Sequence, residues 1–209
     1  MKRLVVLLLA LSAGCSLKPV YHPTIHDHRI SLDAGDLEKG GIAFITPSTV
    51  TGQEQEKQTV AFTVADVLGR NRPGVKLITL PETLSAVNKA GFVDAYRQMY
   101  EDYKETALLP AGVLRRIATT TGTRYLAQLQ LQGFGQSSKG RFGLLGFRIM
   151  ETLIGDVRLY FQIWDSRDGS IAWEGMQELR IAVDSTSEKP VMLRTLLERS
   201  AQDLVAKLP

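Results

Sequence analysis

The spacing of apolar residues changes near residue 125, and this change is the strongest constraint on the fold. Before it, apolar residues recur at helical spacing, as at Val60, Val64 and Val67. After it, the stretch YLAQLQLQ (125–132) alternates apolar residues with glutamines. Because side chains repeat every 3.6 residues on a helix and every two on a strand, the first part predicts helices and the second predicts strands. Each strand is expected to have one buried and one solvent-facing side.

Turn and capping residues divide the chain into ten predicted elements. The turn DSRDGS (165–170) joins two alternating stretches into a hairpin, since its glycine can adopt positive φ. In chain order we predict a strand from 41, a helix over 53–69, a strand over 75–80, helices beginning near Pro81, Phe92 and Pro110, strands over 125–132, 157–163 and 171–183, and a helix over 193–208. The predicted class is therefore α/β (α+β): a mixed β-sheet of about five strands with helices packed on it, in the order β-α-β-α-α-α-β-β-β-α.

A separate feature at the start of the chain concerns export. Lys2 and Arg3 precede the apolar run Leu4 to Leu11, and small residues then lead to Cys15, the only cysteine in the sequence. The run is too short to cross a bilayer, and its layout is typical of a secretory signal peptide. A single cysteine also excludes an intramolecular disulfide, so the fold must be stabilised by its core.

The residues Leu11-Ser12-Ala13-Gly14-Cys15 resemble the bacterial lipobox. The resemblance implies that residues 1–14 are a lipoprotein signal peptide, cleaved before Cys15. It also implies that the thiol of Cys15 carries diacylglycerol and that its new amino group carries a further acyl chain such as palmitate. An anchor of two or three chains holds a protein on the membrane stably. Ser16 after the cysteine implies lipid attachment at the periplasmic face of the outer membrane.

Residues 15–40 show no sustained apolar period, so we predict a lipidated cysteine and a flexible tether there, followed by a single periplasmic domain over 41–209. The tether holds all three histidines, His22, His26 and His28, which are weak candidates for zinc or copper ligands. No His or Cys follows them to complete a site. We therefore expect no metal and no cofactor.

Charge and residue types also exclude function classes. Once Lys2 and Arg3 leave with the leader, the formal charge falls from +3 to +1, and no basic stripe indicates nucleic-acid binding. Nucleophilic catalysis needs Ser or Cys near a base, yet no His or Cys lies beyond residue 28. We expect that the protein is not an enzyme.

The segment 133–153 uses about twenty residues where a tight turn would join two strands. Its candidates for contact with a partner or a membrane are Phe142, Leu144, Leu145, Phe147, Arg141 and Arg148. Three interpretations stay open. The segment is a lid on its own sheet, a surface for a protein partner or a neighbouring subunit, or a contact with lipid in which the arginines meet the head groups.

Two longer stretches resemble a known group of domains. LPAGVLRRIATTTGTRYLAQLQLQGF and VRLYFQIWDSRDGSIAWEG, with Asp168-Gly169 and Trp173, are similar to the periplasmic α/β domain shared by the curli-secretion lipoprotein, the penicillin-binding-protein activator lipoprotein and the N-terminal domain of the Tol-system propeller protein. The resemblance covers roughly residues 41–207 and implies a partner-binding or self-assembling module.

The resulting functional prediction is a membrane-anchored lipoprotein that serves as an assembly or accessory factor of an envelope complex, by protein interaction or self-association. The alternative is a carrier that binds a lipid or another apolar ligand between sheet and helices. A carrier requires an apolar cavity of about 300 Å³ or more, whereas an interaction module requires a packed core and an exposed binding surface.

Overall fold

A computed structural model of the chain describes residues 19–49, 54–144, 147–185 and 191–209; side chains are described there except at 54, 140–151 and 185. The strands are β1 (Val20–Arg29), β2 (Ile42–Phe44), β3 (Ser48–Thr49), β4 (Leu77–Ile78), β5 (Tyr125–Leu144), β6 (Phe147–Asp165) and β7 (Ser170–Ser185). The helices are α1 (Asp36–Gly40), α2 (Glu54–Asn71), α3 (Leu80–Lys89), α4 (Val93–Thr106), α5 (Ala111–Thr121) and α6 (Leu193–Val205).

The strands form one mixed sheet in the order β1-β7-β6-β5-β2-β4, with β3 also paired to β5. Strands β2 and β3 run parallel to β5, whereas β1, β7, β6 and β5 are antiparallel to their neighbours along that side. The predicted α/β (α+β) class with a mixed sheet is confirmed. The sheet has seven strands rather than about five, because β1 and the two-residue β3 add to those predicted.

Helices pack on both faces of the sheet and make two hydrophobic cores. Helices α2 and α6 cover one face, where the larger core includes Val64, Phe44, Phe161 and Leu197. Helices α3, α4 and α5 cover part of the other face. In α4, Tyr96, Met99 and Tyr103 are buried and belong to the smaller core. Among the described helices, none combines the length and apolarity that crossing a bilayer requires.

Local capping explains where α3 begins and where α5 ends. At the start of α3, the Glu82 carboxylate accepts hydrogen bonds from the backbone N–H and the hydroxyl of Thr79, both at 2.7 Å. These bonds lower the pKa of Glu82, and they form a capping box. Helix α5 ends at Gly122, whose φ of 66° favours glycine.

The structure corrects the prediction of a flexible tether over residues 16–40. Residues 20–29 form β1, which pairs along its whole length with β7, from Val20 opposite Ala182 to Arg29 opposite Trp173. Leu32 and Leu37 then pack into the larger core. Sequence periodicity missed β1 because most of its residues are exposed on both faces, so no apolar alternation marks it.

The interpretation of 133–153 as a loop is also wrong for the backbone. Strands β5 and β6 continue past the body of the sheet as an antiparallel ladder that ends with Leu144 opposite Phe147. The described part of β7 ends earlier, at Ser185 opposite Glu151. The two strands therefore continue as a paired hairpin beyond the last described residue of β7.

Trp173 is the largest side chain of the larger core. It is fully buried and lies edge-on to Phe161, with ring centroids 5.5 Å apart. Gly175 lies two residues further along β7, and a Cβ atom there would collide with the Trp173 ring and approach Leu204 of α6 to 3.0 Å. The absence of a side chain at Gly175 thus makes room for the tryptophan and for close packing of α6.

We predict that Gly175→Ala destabilises the protein by about 1–3 kcal/mol, because it overpacks this region. The matched control is Gly112→Ala in α5, where an added Cβ meets no atom within 4 Å. Alanine is favoured over glycine in a helix, so the control should be neutral or slightly stabilising. Urea unfolding measures both, and equal stability of the two variants would contradict this account of the packing.

Candidate functional site

The face of the sheet that carries α3 to α5 is only partly covered. Near the C-terminal end of α4, the Tyr103 hydroxyl donates a hydrogen bond to Gln162 Oε1 on β6 at 3.1 Å. Gln162 Nε2 in turn donates to Glu174 Oε2 on β7 at 2.5 Å. Burial raises the pKa of Tyr103 to about 12, and the Glu174 carboxylate adds to the rise. Past Tyr103, Gln162 and Glu174, on the side away from the helices, this sheet face is open to solvent. We call the uncovered part of β1, β7, β6 and β5 the open face.

A groove of about 770 Å³ runs over the open face. Its side-chain lining includes His22, Thr24, Gln132, Asp156, Arg158, Glu178 and Arg180. Positive and negative groups are mixed, and Arg158 pairs with Glu178 at 2.5 Å across β6 and β7. The groove therefore has no strong preference for one sign of ligand charge.

The three histidines lie on β1 and are exposed. In the β1–β7 register His22 is opposite Arg180, His26 opposite Met176 and His28 opposite Glu174. Within the described residues, no group of three or more His, Cys, Asp or Glu side chains is placed to hold a metal ion. His22 contributes to the groove, a position that the tether interpretation did not anticipate.

A second cavity, of about 670 Å³, lies at the opposite end of the sheet, where β5 begins and β6 turns into β7. Its lining includes the cations Lys39, Arg115, Arg124 and Arg167, and among the described residues that line it none is acidic. We call this the basic cavity. It lies next to a smaller depression of about 310 Å³, which shares Arg115 and adds Arg116.

A buried carboxylate orients two of these cations. The Asp165 side chain is 4% exposed; its Oδ2 accepts from Arg124 Nη2 at 2.6 Å and from Arg167 Nη2 at 2.9 Å. Its Oδ1 accepts the backbone N–H of Arg167 at 3.0 Å. Burial raises the pKa of Asp165, and the Arg124 guanidinium opposes that rise. Arg124 is further fixed over the Tyr125 ring, 4.7 Å from its centroid.

None of these three cavities suits the apolar ligand that the carrier alternative requires. All three lie at the surface of the described structure, and each is lined by arginines. An apolar ligand buried between sheet and helices would need an enclosed, mainly apolar cavity. The arrangement instead offers exposed polar surfaces around packed cores.

The backbone brings the predicted contact residues of segment 133–153 together at the hairpin tip. Phe142 is in register with Met150, Gly143 with Arg148, and Leu144 with Phe147, and Arg141 is adjacent in β5. Leu145 lies outside the described residues, as does Cys15 with the leader. Their predicted roles stay predictions.

Sequence reasoning missed the basic cavity. Its cations come from four separate places: the end of α1, the middle of α5, the residue before β5 and the β6–β7 turn. Arg167 and its neighbours were recognised only as turn residues. The sequence of the turn did contain one signal for these charged residues. Asp165 is followed two residues later by Arg167, so opposite charges stand together at the end of β6.

The fold and these surfaces define a three-layer α/β domain with an open sheet face, a charged end and a projecting hairpin. The sequence matches no model of a known protein family, and no curated protein matches it.

Several solved structures are similar at low identity. A PelC dodecamer from Paraburkholderia phytofirmans is 13% identical with a TM-score of 0.47, over 90% of this chain and 94% of that one. The lipoprotein GNA1162 from Neisseria meningitidis is 15% identical with a TM-score of 0.38, over 80% of this chain and 98% of that one. The LpoB C-terminal domain from Salmonella enterica is also 15% identical with a TM-score of 0.38, over 66% of this chain and 82% of that one.

Proposed function

We propose that this chain is a periplasmic lipoprotein, anchored through Cys15 in the outer membrane, and that it acts without catalysis as an accessory factor binding a protein partner of the envelope. The sequence support is the apolar leader, the lipobox-like residues that end at Cys15, and Ser16 after it. The structural observation that supports the proposal is that Val20, the first residue of β1, and the hairpin tip lie toward the same end of the sheet.

The strand register gives this placement. Val20, at the start of β1, is opposite Ala182 of β7. Ala182 is opposite Ile154 of β6, and Ile154 is opposite Ser137 of β5. The tip at Leu144 lies seven residues beyond Ser137 along β5, or about 24 Å at the usual rise per residue. Three strand-to-strand steps, each twisted by about 20–25°, turn β5 by about 60–75° relative to β1 and reduce the overhang, projected along β1, to about 6–12 Å.

The maximum reach of the anchor exceeds this overhang, so the tip is able to touch the lipid surface. Cys15 precedes Val20 by five residues, so the chain between them spans at most about 18 Å. A lipidated Cys15 would thus hold the Val20 end of the sheet close to the bilayer, and the tip would reach the lipid surface. Of the interpretations left open by the sequence, this favours membrane contact by Phe142, Leu144, Leu145 and Phe147, with Arg141 and Arg148 near anionic head groups.

Two surfaces outside the tip are then available to a protein. The open face and the basic cavity carry charged and polar side chains, as the rims of protein interfaces do. The three histidines lie together on exposed β1, away from the buried residues of both cores. This distribution supports binding rather than nucleophilic chemistry.

The anchor is tested by metabolic labelling. We expect the wild-type protein to incorporate radiolabelled palmitate, whereas Cys15→Ser should not, because the thiol and the processed amino group are the acylation sites. A chain beginning at Ser16 behind an ordinary cleavable leader should be released in the soluble periplasmic fraction. Palmitate labelling of Cys15→Ser would contradict the proposal.

The tip is tested by vesicle flotation of residues 16–209, which contain every described element. We expect wild type to float with vesicles of phosphatidylethanolamine and phosphatidylglycerol at 3:1. Changing Phe142, Leu144, Leu145 and Phe147 to Ser should abolish flotation with an unchanged unfolding midpoint. Arg141→Gln with Arg148→Gln should weaken it on these vesicles but not on neutral phosphatidylcholine.

The matched control for flotation changes four exposed apolar residues elsewhere to Ser: Ile30, Phe62, Val93 and Leu108. This control should float like wild type. If wild type fails to float, or the control loses as much binding as the tip variant, the membrane assignment is wrong. A tip variant that unfolds at a clearly lower midpoint would show that the tip packs on its own domain.

Partner binding is tested by photo-crosslinking in intact cells. A crosslinking amino acid at Thr119 in the basic cavity, or at Thr24 on the open face, should give a defined protein adduct. The same amino acid at Phe62, which is 67% exposed on the opposite helix layer, should give none. Equal adducts at all three positions, or none at Thr119 and Thr24, would contradict an accessory role through these surfaces.

A further inference from the structure

We infer that the basic cavity is a binding site for a carboxylate-rich segment of the protein partner; this inference rests on the proposed function, which supplies the partner. The four cations Lys39, Arg115, Arg124 and Arg167 surround one cavity, and its described lining holds no acidic residue.

The cavity differs from the groove on the open face in its charge balance. In the groove, Arg158 is paired with Glu178, and Asp156 and Arg180 both contribute to the lining. In the basic cavity the nearest carboxylate, Asp165, is buried beneath Arg124 and Arg167 and accepts from both. Asp36 and Asp168 also interact electrostatically with Arg124, but neither lines the cavity. The surface that a ligand would meet therefore carries four cations and no carboxylate among its described lining residues.

The two guanidinium groups are also fixed in place before any ligand binds. Asp165 contacts the Nε and Nη2 atoms of Arg124 and of Arg167. A guanidinium has five N–H donors, so three on each arginine are not used by these bonds. Arg115 is tied in as well, because its Nη2 donates to the Arg167 carbonyl oxygen at 3.0 Å. Such preorganisation lowers the entropic cost of binding an oxyanion.

One hydroxyl group extends the same chemistry. Ser166 contributes to the lining and its hydroxyl can donate to a carboxylate, whereas the Thr119 hydroxyl already donates to the Arg115 carbonyl oxygen at 2.8 Å. The adjoining depression carries the cationic surface onward to Arg116, whose guanidinium lies 4.3 Å from the centroid of the Phe92 ring. Five cations spread over the cavity and the adjoining depression fit several successive carboxylates, as an acidic peptide presents them, better than they fit one small anion.

The position of the cavity agrees with a protein ligand. Ile154 of β6 is level with Val20 at the start of β1. Asp165 lies eleven residues further along β6, so the basic cavity is about 36 Å from the anchored end, measured along the strand. This distance greatly exceeds the Debye length of about 8 Å at physiological salt, so the cavity does not sense anionic lipid directly. A segment of an envelope protein that extends toward the domain can reach it.

The test uses the lipidated protein in a neutral detergent and three probes: a heptaglutamate peptide, a heptalysine peptide and inorganic phosphate. We expect heptaglutamate to bind and heptalysine not to bind. The variant Lys39→Gln with Arg115→Gln leaves the Asp165 ion pairs intact, and it should weaken heptaglutamate at least about tenfold, as loss of charge-assisted hydrogen bonds does.

The matched control is Arg70→Gln with Arg97→Gln, two exposed arginines outside the cavity, which changes the net charge equally. It should bind heptaglutamate within about twofold of wild type. Equal weakening by both double variants would overturn the inference, because net charge alone would then explain binding. Tight binding of phosphate without binding of heptaglutamate would also overturn it and would indicate a small-anion site.

Failure of this inference can be told from failure of the proposed function. If heptaglutamate does not bind while Cys15 is acylated and Thr24 crosslinks to a partner, the inference is wrong and the accessory role stands. If heptaglutamate binds but neither acylation nor crosslinking occurs, the site exists and the proposed function is wrong.

Discussion

The rest of the structure depends on strand β5, whose first seven residues are paired along both edges and packed on both faces. It pairs in parallel with β2 and β3 and antiparallel with β6, so it joins the two halves of the mixed sheet. Tyr125, Ala127 and Leu129 belong to the core under α2 and α6, and Leu126 belongs to the core under α3 to α5. All four are fully buried, so the strand unites the three layers.

The same strand connects the two functional ends. Its first residue follows Arg124 of the basic cavity, and its last described residues form one side of the projecting tip. Because a paired strand is a rigid spacer of about 3.3 Å per residue, the ladder between β5 and β6 fixes the separation of these ends. A membrane contact at one end and a partner contact at the other would therefore be held at a constant distance.

Periodicity predicted most of the fold and little of the candidate sites. The alternation after residue 125 and the inward residues of α4 and α5 are decided locally by burial, so they can be seen in sequence. Strand β1 could not be predicted, because β7 holds it through backbone bonds while its side chains stay exposed. The sequence of the hairpin favoured a loop because its glycines and serines interrupt the apolar alternation that indicates a strand. Asp165, Arg124 and Arg115 meet only through tertiary contacts between distant segments.

The central claim is the orientation of the domain on the bilayer, and spin relaxation tests it most directly. Cys15 would be blocked by lipid, so a single nitroxide can be placed at Ser138→Cys in β5 or at Thr119→Cys in the basic cavity. The lipidated protein is reconstituted in vesicles that carry nickel chelated at the head groups. The account predicts strong relaxation enhancement at position 138 and little at position 119, about 30 Å or more from the surface. Equal enhancement at the two positions, or stronger enhancement at 119, would contradict it.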